Sequence, residues 1–107
     1  MNDLAKLAEE HLAVALQAEH GRSTVLVAQD GPLRQALIAL RAGIELGEHT
    51  SPRVAGSIYV IEGSVTVASA SARTTVGENQ LHVLAKERHS VLANEDAVFL
   101  LTAVNDD

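Results

Sequence analysis

From Ser23 onward the chain is a succession of short β-rich runs, each cut off by a turn signal, and this pattern limits the possible folds more than any other feature. The runs are predicted at residues 23–28, 33–42, 57–61, 65–69, 81–84, 89–93 and 97–104. Asp30-Gly31-Pro32, the stretch from Gly43 to Pro52, Glu62-Gly63, Gly77-Glu78-Asn79 and Asn94-Glu95-Asp96 separate them. Each separator has a mechanism: glycine allows positive φ, proline fixes φ, and Asn or Asp bonds back to its own backbone. Strands spaced roughly 8–12 residues apart imply a sandwich or small barrel. Residues 33–42 have a helix-like content of alanine and leucine, but they sit among β runs and end at Gly43, so they read as a strand.

The first twenty residues break the pattern. Leu4, Leu7, Ala8, His11, Ala15 and Ala18 fall on one stripe at a 3.6 period, widened by Leu12, with Lys6, Glu9, Glu10, Gln17 and His20 opposite. Asn2 is placed to cap this helix and Gly21 to end it. The expected organisation is one domain, with a helix at 1–22 packed on a barrel at 23–107; a helix that binds a partner is the alternative.

Composition removes several classes of function. The 107 residues carry a formal charge of −6, which repels nucleic-acid phosphates and anionic membranes. Tyr59 and Phe99 are the only aromatics, too few to stack bases. With no cysteine there is no disulfide scaffold, thiolate metal site or cysteine nucleophile. No apolar run approaches the ~18 residues of a membrane span, and the first residues do not read as a leader, so the expected location is the cytoplasm. No nucleophile elbow surrounds Ser51, and the spacing of Gly43 and Gly47 makes no phosphate loop.

The order of glycines and histidines resembles the cupins, small antiparallel barrels of the RmlC-like jelly-roll type. Their first motif, G-x5-H-x-H-x3-4-E-x6-G, is met by Gly43, His49 and Gly63, with Ser51 in place of the second histidine and Gly56 in place of the glutamate. Their second, G-x5-P-x-G-x2-H-x3-N, is met loosely by Gly77 and His89; one residue is extra, and Val83, Ala85 and Ala93 replace proline, glycine and asparagine. The resemblance spans about residues 29–104, closest to small bacterial cupins with a leading helix. It implies an all-β jelly roll with one N-terminal helix. It also implies a metal held by three histidines and a glutamate, of which only His49 and His89 remain here.

Strand alternation gives the expected interior. If His49 points inward, Ser51, Gly56, Ile58 and Val60 do too, and Val91 and Ala93 follow His89. The candidate ligand pocket is therefore His49, Ser51, Ile58, Val60, His89 and Val91, with His49 and His89 as weak metal ligands. No tightly bound cofactor is expected, although a divalent transition metal with a recruited carboxylate (Glu45, Glu48 or Glu62) would allow oxygenase or isomerase chemistry. His82 reads as a surface histidine. The functional expectation is a non-enzymatic or sensory barrel that binds a small organic ligand; a metal-dependent enzyme and a protein-interaction module are the alternatives. Because Tyr59 and Ile61 alternate with Ile58 and Val60, both faces of that strand are apolar, and a homodimer is expected.

Overall fold

The computed structural model describes residues 1–47 and 54–105. Its elements, in chain order, are α1 (Leu4–Gln17), β1 (Arg22–Asp30), β2 (Leu33–Leu40), β3 (Glu45–Leu46), β4 (Val54–Glu62), β5 (Ser64–Ala68), β6 (Arg73–Gly77), β7 (Leu81–Leu84), β8 (Ser90–Ala93) and β9 (Ala97–Asn105). A five-stranded sheet, β1-β2-β9-β4-β7, faces a four-stranded sheet, β3-β8-β5-β6, and all pairings are antiparallel. No helix among the described residues is long and apolar enough to cross a membrane.

All seven strands expected from the sequence are present, and two more join them. β3 is two residues long and pairs Leu46 with Val91, too short for any alternation to register. β6 is an edge strand whose only buried residue is Val76, so its apolar signal is sparse. Its Thr74-Thr75-Val76 run does carry the β-branched preference for strands.

Two apolar layers hold the fold. Between the sheets, Ile38, Leu40, Ile58, Val60, Val65, Val76, Val91 and Phe99 form one cluster. Outside the larger sheet, Ala8 and Ala15 of α1 pack on Leu37, Ala39 and Val98, with Leu4, Leu7, Leu12 and Ile61 around them. β2 therefore buries both faces, Ile38 and Leu40 inward and Leu37 and Ala39 under the helix. This is why the continuous apolar run at residues 36–40 forms a strand here.

Asp3 caps α1, its Oδ1 accepting from the Lys6 N–H at 3.2 Å, whereas Asn2 uses its amide to donate to the Val27 carbonyl at 2.8 Å. The cap thus falls one residue later than the sequence suggested. Nor does Gly21 end the helix: Ala18 is its extended C-cap, and the Arg41 guanidinium donates to the Ala18 carbonyl at 3.1 Å. His11 fastens the helix to β1, its Nδ1 2.7 Å from Ser23 Oγ.

Gly63 makes the β4–β5 turn at φ +79°, and a Cβ there would drive into the Asp96 carbonyl oxygen. Just before it, a β-bulge between Val60 and Glu62 shifts the register so that Val60 pairs with Phe99 but Glu62 with Val98. Val60 and Phe99 face the core, whereas Val98 faces the helix. The bulge thus carries Glu62 out of the interior, contrary to its parity in the sequence, into a groove beside Glu9, Leu12 and Leu16 of α1.

Candidate functional site

The site lies at the seam where β7, the edge of the larger sheet, meets the smaller sheet. β7 pairs with β4 in the register Gly56↔Leu84, Ser57↔Val83, Ile58↔His82 and Tyr59↔Leu81. Ile58 and Leu84 are core residues, so His82 shares the inward face and is half-buried. Leu81 and Val83 point outward, 64% and 71% exposed. The structure thus corrects the reading of His82 as a surface histidine.

From the smaller sheet, Val67↔Thr74 and Val67↔Val91 set the inward register, and His89 immediately precedes β8. His82, His89, Val67, Ser69, Ser71 and Thr74 line a cavity of about 120 Å³. His89 is 5% exposed, and its Nδ1 has no hydrogen-bond partner among the described residues. Burying a polar atom unpaired costs about 1–3 kcal/mol, so this nitrogen is an unmet demand for a partner in a residue that lines the cavity.

The rim is polar. Ser71 Oγ donates to Glu87 Oε1, and Ser69 Oγ lies 3.3 Å from Ser71 Oγ. Hydrogen bonds from Ser71 and then Ser69 hold the Glu87 carboxyl below its usual range, outweighing the opposing effect of desolvation. This contact ties the residues between β7 and β8 to those between β5 and β6.

Of the residues expected to line the pocket, His89 reaches the cavity. Ile58, Val60 and Val91 are buried in the inter-sheet cluster, Ile58 opposite His82 and Val91 opposite Val67. His49 and Ser51 lie outside the described residues, as does Glu48. His82, Ser69, Ser71 and Thr74 were not singled out for this site. Only the inward parity of His82 with Leu84 hinted at it, and the apolar Leu81 and Val83 hid that signal.

No protein-family model and no curated protein matches the sequence. Solved structures do match. The TT1209 protein of Thermus thermophilus superposes with a TM-score of 0.76 at 19% identity, over 99% of this chain and 98% of that one. The chain has the cupin fold. A cupin-2 domain protein from Shewanella frigidimarina matches with a TM-score of 0.71 at 16% identity, over 98% of this chain and 95% of that one. An RmlC-like cupin from Desulfovibrio desulfuricans matches with a TM-score of 0.69 at 22% identity, over 78% of this chain and 81% of that one. The fold is thus the all-β antiparallel jelly roll with one N-terminal helix that the motif order implied.

The residues present do not fit the cupin metal set. The glutamate position is Gly56, and a Cβ there would lie 2.7 Å from the Thr102 carbonyl oxygen, so the backbone of β9 leaves no room for a side chain. Among the described residues no group of three or more His, Asp or Glu side chains could hold a metal ion. In the sequence Ser51 replaces a second ligand, and a neutral hydroxyl binds a divalent ion poorly. Purified without added metal, the protein is therefore expected to carry well under one equivalent of transition metal by elemental analysis. A full equivalent that survives dialysis against chelator would contradict this.

Proposed function

We propose that this cupin-fold protein is a binding barrel, non-enzymatic or sensory in role, which takes a small organic molecule at the seam cavity with His89 as its anchor. The buried, unpartnered His89 Nδ1 carries this reading. A ligand that bonds to it offsets a cost the fold otherwise bears, whereas Ile58 and Val91 supply the rigid apolar packing that fixes the two walls. Binding pockets for drug-sized molecules occupy about 300–1,000 Å³, so a cavity of about 120 Å³ restricts the ligand to a small one.

The test is a thermal-shift screen of small metabolites on the wild type and on His89→Ala. Compounds that raise the wild-type melting temperature are expected to lose their effect in the variant. Without ligand, His89→Ala is expected to change stability by no more than about 1 kcal/mol, because lost packing is offset by removal of an unpaired buried nitrogen. Hits that stabilise both proteins equally would defeat this reading.

We further propose that the protein pairs as a homodimer through the outer face of β4 and β7. The argument from Ile61 fails, because α1 covers that side chain. Tyr59, Leu81 and Val83 remain, adjacent on one outward face and 36%, 64% and 71% exposed. An apolar face on an edge strand is a surface that proteins usually cover. Light scattering at micromolar concentration is expected to give twice 11.3 kDa, falling to the monomer mass in Val83→Asp. A wild-type monomer would refute the dimer.

A further inference from the structure

We propose that the seam cavity is a site for a small monocarboxylate, about the size of a two- or three-carbon acid, gripped between the imidazoles of His82 and His89. The inference rests on the binding reading above and names the class of ligand.

Three observations carry it. The first is that the two imidazoles come from opposite sheets, His82 from β7 of the larger and His89 from the lead into β8 of the smaller, and both line one cavity. A carboxylate presents two acceptor oxygens and can take an N–H from each ring, and no hydrogen bond within the described residues occupies the buried Nδ1 of His89. Two imidazoles lining one small space suit a planar anion with two acceptors better than a lone hydroxyl.

The second is charge. The chain is acidic, at −6, yet no Asp or Glu is among the described residues that line this cavity. Glu87 is engaged by the serine hydroxyls at the rim. An anion in the cavity therefore meets no facing carboxylate among the described residues, on a molecule that otherwise repels one.

The third is size. About 120 Å³ is well below the roughly 300–1,000 Å³ of pockets for drug-sized molecules, which suits a carboxylate with a short tail against Val67.

The experiment follows the imidazole signals of the full chain by nitrogen-15 NMR during titration with pyruvate, with glycerol as a neutral probe of similar size and citrate as an oversized anion. Pyruvate is expected to move the His82 and His89 signals together and saturably, and citrate and glycerol to move neither. His82→Leu, which removes the ring N–H at a half-buried edge position, is expected to weaken pyruvate binding at least about tenfold, the size of one lost charge-assisted bond. If glycerol moves the His89 ring as readily as pyruvate does, or if pyruvate moves His89 but not His82, the carboxylate assignment fails while the binding reading stands. If no probe moves either ring and the metabolite screen also yields no His89-dependent hit, both fail.

Discussion

Gly56→Glu is expected to leave the barrel largely unfolded instead of completing a metal site. The substitution restores the residue that the cupin motif has at this position, so a comparison of sequences alone would recommend it. The obstacle is the backbone. β4 lies between β9 and β7, Gly56 opposite Ala103 on one side and Leu84 on the other, and a Cβ would sit 2.7 Å from the Thr102 carbonyl oxygen. A carbonyl in a sheet ladder cannot swing away like a side chain, so the two strands would have to part. Overpacking of this kind costs about 1–3 kcal/mol. A carboxylate buried beside Leu84 adds several more. Against a total stability of about 5–15 kcal/mol, the sum exhausts most of what a domain has. Gly56→Ala isolates the steric part and is expected to cost about 1–3 kcal/mol in urea unfolding. A folded Gly56→Glu protein that binds an equivalent of metal would show that β4 and β9 can separate, and would restore the enzyme alternative.

Phe99→Ala is expected to destabilise the protein by about 3–5 kcal/mol, the usual cost of emptying an aromatic site in a close-packed core. Phe99 is the largest fully buried side chain, with Ile38 opposite it on β2 and Val60 on β4, all within the inter-sheet cluster. Its neighbours belong to rigid ladders that cannot collapse into the space, so the cost falls near the top of the range. Urea unfolding measures it directly, and Phe99→Leu, which keeps much of the volume, is expected to cost markedly less. A loss under about 1 kcal/mol for the alanine variant would mean that the two sheets close over the gap, contrary to close packing.

The sequence made the strands legible wherever side chains alternate on a half-buried sheet, and it failed where geometry interrupts that rule. β5 shows the rule at work, with Val65 and Val67 inward between half-buried neighbours. In β7 the rule is inverted: Leu81 and Val83 face out and His82 faces in, so the pattern assigned the histidine to the surface. One bulge residue moved Glu62 from the inside to the helix groove, and no periodicity argument contains such an insertion. The glycine and histidine spacings carried the fold, because turns and strand lengths are geometric necessities of the barrel. They did not carry the cavity. Ser69, Ser71 and Thr74 are small polar residues of a common kind in the sequence, and only the pairing of β5 with β6 and β8 brings them to one place.

The order of strands has a consequence for how the chain reaches this state. β9 lies between β2 and β4, pairing Leu37 with Leu100 on one side and Ile58 with Leu101 on the other. The central strand of the larger sheet is thus the last in chain order. During synthesis the β1–β2 and β4–β7 pairs can form as they emerge, but the two halves of the sheet must wait for β9 to join them. Contacts of such wide sequence separation make folding slow, and partly made sheets of this kind are prone to associate. A stalled or truncated chain lacking β9 therefore exposes two unpaired strand edges and half of a hydrophobic interior, a form suited to chaperone capture or proteolysis and not to function.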